Sequence, residues 1–323
     1  MSTLSNESRA NAVVSVGPIE LSAPERGHAL WLRVSAPVTG SRLPVIVFSH
    51  GFGLSMDAYA PLVNFWAARG FVVIQPTFLD SRSLSADPKA SHAEAIKAYL
   101  DDPRKLEIWR YRVQDVKRVL DQLDVIEDSI PWLEGRLDRD RIAAVGHSFG
   151  AQTTAMLLGA RVPGPDGDAG EDRSDSRIKA GVLLCAGGRG GDALSPLATE
   201  HFPYLNQDYS RMNTRTLVVA GDHDDSPLTV LGPEWFTDAY TLSPGADSLV
   251  TVCGGEHMLG GISGYQVTET TDENPERVAV VQRLTDAYLR SAFYPEDDAW
   301  TIASSTLEGG PNPLARVESK SPR

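Results

Sequence analysis

Apolar residues form continuous runs through the middle of the chain, and turn residues bound each run. Strands that are covered on both faces require such runs, whereas half-exposed strands alternate apolar and polar positions. Six runs have this form: 43–51, 70–76, 140–148, 178–186, 214–222 and 247–255. The run 28–37 alternates more, which is typical of an antiparallel edge strand. We therefore expect a mainly parallel sheet.

Helical spacing separates these runs. Apolar residues lie three or four positions apart along 109–123, and further helices are predicted over 58–70 and 275–293, where Pro275 is typical of a helix start. Strands that alternate with helices along the chain indicate an α/β fold.

No repeat and no break in composition divides the chain, so we expect a single domain over residues 11–303. The polar ends, 1–10 and 304–323, are predicted to be flexible tails. The acidic stretch 161–176 is rich in glycine and proline and is predicted to be a mobile loop.

The composition excludes several classes of function. A net charge of −13 over 323 residues argues against nucleic acid as a partner, because phosphate binding needs clustered lysine and arginine. No apolar run approaches the roughly 18–20 residues that span a bilayer, so stable membrane insertion is not expected. No basic segment followed by an apolar one opens the chain, and a cytoplasmic location is therefore expected. Oligomeric state stays open.

Ser148 lies within "VGHSFGAQ", between an apolar run and a predicted helix. The pattern G-x-S-x-G in a strand–turn–helix context is typical of a nucleophile elbow, in which the serine hydroxyl points out of the sheet edge. The alternative is a small residue in a turn that caps a helix. The flanking segments favour the nucleophile.

A nucleophilic serine needs a base and an oriented acid. His257 follows the last predicted parallel strand within "GGEHMLGG", where glycines allow the loop to return over the elbow. The acid is expected in "GDHDDSP": Asp224 is favoured, Asp225 is second, and Asp222 lies too near the strand end. The carboxylates around His223 also suggest a cation site, but one short loop without a partner cluster makes that weak.

The oxyanion of an acyl-transfer reaction needs two backbone N–H donors. Phe149, which follows the serine, is expected to supply one. Phe52 in "FSHGFG" is expected to supply the other, because the flanking glycines let its amide turn inward. His50 is expected to tie down that loop rather than transfer protons.

The motifs "FSHGFG", "GHSFG", "GDHD" and "EHMLGG", in this order, resemble α/β-hydrolases of the platelet-activating-factor acetylhydrolase, chlorophyllase-like and polyester-hydrolase (dienelactone-hydrolase-like) group. The resemblance spans about residues 40–260 and implies an α/β-hydrolase fold with about eight strands. Ala151 departs from it, since relatives often carry a glycine there.

The resemblance implies a serine carboxylic-ester hydrolase that needs no cofactor or metal and acts on a small or lipid-like ester. Its triad would be Ser148, Asp224 and His257, with the amides of Phe52 and Phe149 as oxyanion donors. The same triad also serves acyltransferases, amidases and carbon–carbon bond hydrolases, while a non-catalytic binding relative or a metal-dependent hydrolase is a further alternative. The side chains Phe52, Tyr59, Phe149 and Met258 are candidates to line an acyl pocket.

The implied strand order also bears on the two cysteines. Cys185 and Cys253 would end strands that are separated by the strand at 216–220. Two interstrand steps of about 4.8 Å exceed the roughly 7 Å that a disulfide tolerates. Both thiols are therefore predicted to be free.

Overall fold

The computed structural model describes residues 10–164, 166–264, 267, 270–307 and 313–320. Its strands form a single sheet. Within these residues the sheet has nine strands: β1 Val13–Leu21, β2 Leu30–Pro37, β3 Leu43–Ser49, β4 Val72–Pro76, β5 Leu137–His147, β6 Ile178–Leu184, β7 Thr216–Gly221, β8 Ala246–Val252 and β9 Ala315–Ser319. Their order across the sheet is β1-β2-β4-β3-β5-β6-β7-β8-β9. Strands β3 to β8 run parallel, β2 and β9 pair antiparallel with β4 and β8, respectively, and β1 pairs antiparallel with β2.

Helices connect the strands. Those within the described residues are α1 Ala60–Ala68, α2 His92–Asp101, α3 Ile108–Asp121, α4 Leu123–Asp128, α5 Phe149–Leu157, α6 Pro196–His201, α7 Asp238–Leu242, α8 Pro275–Phe293 and α9 Ala299–Leu307. The helices predicted at 58–70 and 275–293 are confirmed. The stripe at 109–123 divides at Gln122, whose backbone leaves the helical region, so that Leu123 begins α4.

The six continuous apolar runs are confirmed as the parallel strands. Every residue of β3, β4 and β7 is buried. Each of these strands is covered by helices or loops on both faces, so a polar residue on either face would lose water without a partner. The predicted α/β class with a mainly parallel sheet is therefore confirmed.

Two strands were not anticipated. β1 pairs with β2, which makes 28–37 the second strand rather than the edge. β9 lies within 304–323, the predicted flexible tail, and pairs antiparallel with β8 from Ala315 to Ser319. The prediction of a wholly flexible tail is thus wrong for β9 and for the end of α9. Five polar-rich residues carry too little pattern to indicate a strand without knowledge of the partner.

The other segments predicted to be flexible are described only in part. Residues 1–9, 308–312 and 321–323 lie outside the described residues, as does residue 165 within the predicted loop 161–176. The rest of that loop is irregular, apart from an isolated bridge at its start. No helix that the structure describes is both long and apolar enough to cross a membrane.

The prediction of free thiols is confirmed. Cys185 directly follows β6 and Cys253 directly follows β8, with β7 between them, and neither forms a disulfide.

Candidate active site

Ser148 forms a strained turn between β5 and α5. Its φ of 55° and ψ of −123° lie outside the regions that a residue with a side chain prefers, at a cost on the order of 1–3 kcal/mol. The turn projects the hydroxyl beyond the carboxyl edge of the sheet, and the Ser148 amide donates to the Leu184 carbonyl of β6 at 2.9 Å. The strand–turn–helix context expected from the sequence is present.

Two glycines let the strand and the helix cross at this turn. A Cβ atom on Gly146 would lie 2.1 Å from the Gly150 carbonyl oxygen, and one on Gly150 would lie 1.9 Å from the Ser49 carbonyl oxygen. Neither position can hold a side chain without moving backbone. The glycines of G-x-S-x-G therefore allow the close packing that fixes the serine.

His257 and Asp224 come from the loops after β8 and β7. His257 Nε2 lies 2.8 Å from Ser148 Oγ, and Nδ1 lies 2.9 Å from Asp224 Oδ2. The two loops are themselves joined, because the His223 amide donates to the Gly255 carbonyl at 3.0 Å. The structure thus places the three residues predicted from the sequence in one hydrogen-bonded row.

The surroundings of His257 shift its pKa. Burial alone lowers the pKa, but the Asp224 charge and its hydrogen bond outweigh that effect and leave the pKa above the ordinary 6.5. Asp224 is 1% exposed, so little water screens its charge from the ring.

The other two aspartates of this loop, Asp222 and Asp225, do not contact His257 among the described residues. Asp222 accepts a hydrogen bond from the Gly254 amide and pairs with Arg316 of β9. Asp225 lines the cavity described below. Of the three candidates from the sequence, only Asp224 contacts the His257 ring among the described residues.

The loop after β3 presents the Phe52 amide. The amides of Gly51, Gly53 and Leu54 bond to the Tyr59 hydroxyl, Asp80 and the Gly51 carbonyl, respectively. Across the part of the chain that the structure describes, no acceptor bonds the Phe52 amide. Phe149 opens α5, where the first amides of a helix lack an intrahelical acceptor. Both predicted donors are thus available.

His50 anchors this loop, as expected from the sequence. Its Nε2 accepts from the Phe78 amide at 3.1 Å, and its Nδ1 lies 2.7 Å from the Gly51 carbonyl. Burial, followed by the charge of Arg112, lowers the pKa of His50 to about 3, so the ring is neutral.

The sequence did not reveal the ion pair beneath the same loop. Arg112 of α3 and Asp80 are both fully buried and 2.6 Å apart. The guanidinium also donates to the His50 carbonyl at 2.8 Å and lies 4.0 Å from the centre of the Phe149 ring. Arg112 lies on the buried side of an amphipathic helix. An arginine at such a position indicates a buried acidic partner, because arginine is rarely buried without one.

We expect Arg112→Met to destabilise the fold by about 3–5 kcal/mol, because Asp80 would remain as a buried charge without its partner. Arg110→Met on the same helix is the matched control. Arg110 pairs with Glu107 at the surface, so its loss should cost less than about 1 kcal/mol. Urea unfolding of both variants measures the difference; equal losses would contradict this account of the pair.

A second group that the sequence left unassigned surrounds His257. His147, Cys185 and His257 present ligand atoms within 4.8 Å of one another, and they form the one such cluster within the described ranges. The cation site considered near His223 is not among the clusters found there. All four ring nitrogens of the two histidines already have hydrogen-bond partners. Burial, together with the Asp224 charge, raises the pKa of the Cys185 thiol, which therefore stays protonated.

A cavity of about 600 Å³ opens in front of Ser148. The four side chains predicted to line an acyl pocket all line it: Phe52, Tyr59, Phe149 and Met258. Further apolar side chains come from α2, α6 and the loops around them: Ile96, Leu100, Leu197, Phe202, Tyr204 and Leu205. Their chemistry suits an apolar ligand group that extends from the serine.

A strained serine turn between a strand and a helix, at the carboxyl edge of a mainly parallel sheet, defines the α/β-hydrolase fold. The chain has the α/β-hydrolase fold. Within that class it matches the Chlorophyllase family over residues 8–161. This segment runs from the N-terminal region through α5 and contains Phe52, Ser148 and Phe149, but neither Asp224 nor His257.

The chain is also similar to individual proteins that are platelet-activating factor acetylhydrolases. The chain is 27% identical over 168 residues to the platelet-activating factor acetylhydrolase of Cavia porcellus, a match that covers 45% of this chain and 35% of the relative. It is 28% identical over 173 residues to the enzyme of that name from Bos taurus, with 46% and 36% covered. The matches thus span about a third of the length of these relatives.

Proposed function

We propose that this protein hydrolyses carboxylic esters through an acyl-enzyme on Ser148. The observation that carries the proposal is the row from Ser148 through His257 to the buried Asp224, at 2.8 and 2.9 Å, beside an apolar cavity. The similar proteins, a chlorophyllase family and platelet-activating factor acetylhydrolases, support an ester substrate.

In the first half of the reaction, His257 Nε2 takes the Ser148 proton as Oγ attacks the acyl carbon. Asp224 accepts from Nδ1, which fixes the imidazole tautomer and stabilises the imidazolium. The amides of Phe52 and Phe149 donate to the oxyanion. His257 then gives its proton to the departing alkoxide.

In the second half, His257 removes a proton from water, and the resulting hydroxyl attacks the acyl carbon. The tetrahedral intermediate collapses, Oγ leaves with the proton from His257, and the carboxylic acid departs. None of these steps requires Asp224 to become protonated.

The cavity favours esters with a short or medium acyl chain. Its rings and aliphatic side chains offer an acyl chain an apolar surface and few polar partners. Recognition of the alcohol would fall to the more polar residues that line the cavity, which include Arg82 and His92.

The direct test is a panel of p-nitrophenyl esters that varies acyl length, run beside labelling with a fluorophosphonate. We expect hydrolysis of short and medium acyl esters and one adduct per chain on the peptide that contains Ser148. A chain that is folded by circular dichroism and neither hydrolyses any ester nor takes the label would refute the proposal.

The pH profile of the same assay should follow His257. The base acts when neutral, so kcat/KM should fall as the pH drops through the pKa of His257. Since Asp224 raises that pKa, the inflection should lie above 6.5. An inflection well below 6.5 would contradict the assigned interaction between Asp224 and the ring.

A further inference from the structure

A buried chain of hydrogen bonds links the Phe52 loop to the His257 loop. Tyr59, fully buried at the start of α1, has its hydroxyl oxygen 3.0 Å from the Gly51 amide nitrogen and 2.8 Å from His147 Nδ1. On the far side of the ring, His147 Nε2 lies 2.7 Å from the His257 carbonyl oxygen.

The direction of these hydrogen bonds is fixed. The His257 carbonyl can only accept, so His147 Nε2 carries the proton and donates to it. Burial, then the charge of His257, lowers the pKa of His147 to about 3, so the ring is neutral and Nδ1 accepts. The Tyr59 hydroxyl must therefore donate to Nδ1, while its oxygen accepts from the Gly51 amide.

Both ends of this row of hydrogen bonds lie next to groups of the proposed reaction. Gly51 precedes Phe52, whose amide is the proposed oxyanion donor, and His257 is the proposed base. His147 precedes Ser148 itself. The packing is tight: a Cβ atom on Gly51 would lie 2.9 Å from the Tyr59 hydroxyl and 3.3 Å from His147 Nδ1. The oxyanion loop thus rests directly on this pair.

We propose that Tyr59 and His147 are positioning residues that hold the oxyanion donor and the base at a fixed separation across Ser148. This inference rests on the proposed function. The two loops belong to distant parts of the chain, and the pair is a direct hydrogen-bonded connection between them. A displacement of about 1 Å between reacting groups can lower a rate about 100-fold. Loss of either side chain should therefore reduce turnover more than substrate binding.

The first test is Tyr59→Phe, which removes the hydroxyl and keeps the ring whose centre lies 4.7 Å from that of Phe48. We expect kcat on a p-nitrophenyl ester to fall at least about 10-fold while KM stays within about 2-fold. His147→Leu should behave alike. The double variant should be no slower than the slower single variant, because both substitutions interrupt the same row of hydrogen bonds.

Rescue and a matched control separate positioning from a general loss of stability. His147→Gln can still donate to the His257 carbonyl and accept from Tyr59, and it should retain most of the kcat that His147→Leu loses. Tyr288→Phe removes another fully buried hydroxyl, which belongs to α8 and donates to Asp247 of β8 at 2.7 Å. It should lower the melting temperature but leave kcat unchanged.

The outcomes separate the two proposals. A wild-type chain without esterase activity or labelling contradicts the proposed function. An active wild-type chain with unchanged kcat in Tyr59→Phe, fully additive losses in the double variant, or an equal loss in Tyr288→Phe overturns only the positioning role. If Tyr59→Phe does not fold, the comparison of His147→Leu with His147→Gln decides, and equal kcat in those two variants overturns the role.

Discussion

Ser148→Ala is expected to lower ester hydrolysis by at least about 10⁴-fold and to abolish fluorophosphonate labelling. The variant loses Oγ, the proposed nucleophile, which lies 2.8 Å from His257 Nε2. The oxyanion amides and the cavity remain, so a small residual rate above that in water is expected. Stopped assays with product detection measure the rate, and intact-mass analysis measures the label.

A serine outside the site provides the control. Ser129 ends α4, and its hydroxyl donates to the Val125 carbonyl at the surface. Ser129→Ala should keep full activity and full labelling. If Ser148→Ala is folded and still takes one label per chain, the nucleophile has been assigned to the wrong residue.

Asp224→Asn should lower kcat by about 10⁴-fold with little change in KM. Asparagine has nearly the same shape, but its amide can donate to Nδ1 and so stabilise the tautomer in which Nε2 carries the proton. His257 could then no longer accept the Ser148 proton. The residual activity should also titrate at lower pH than in the wild type, because burial without the Asp224 charge lowers the pKa of His257.

Asp225→Asn is a matched control from the same loop. Asp225 lines the cavity and does not contact the His257 ring among the residues described. Its substitution should change kcat by less than about 10-fold. The reverse ranking of the two variants would make Asp225 the triad acid, which was the second choice from the sequence.

The match between sequence and structure is best where burial leaves a strong local pattern. β3, β4 and β7 are covered on both faces, and their continuous apolar runs could be recognised without any partner. α8 carries both a helical apolar stripe and a proline at its start. β9 has neither signal, since its pairing with β8 depends on a strand more than sixty positions away.

The residues of the site also differ in how far local sequence features could indicate them. Ser148 and His257 could be assigned from the sequence, because an elbow and a loop after a late strand are local features. The sequence favoured Asp224 and left Asp225 as an alternative, since the choice depends on which carboxylate turns toward a ring in another loop. The Arg112–Asp80 pair likewise joins side chains 32 positions apart, with no spacing rule to connect them.

The sequence by itself determined the layered α/β architecture and the candidate nucleophile and base, because continuous burial and tight turns constrain the residue types at neighbouring positions. Only the tertiary structure decided which aspartate faces His257, that Phe52 presents an unbonded amide, and that Tyr59 and His147 connect the two loops. Those features depend on distances between segments that are far apart in the chain. Such distances are set by how helices and strands pack against one another, and no local pattern in the sequence encodes them.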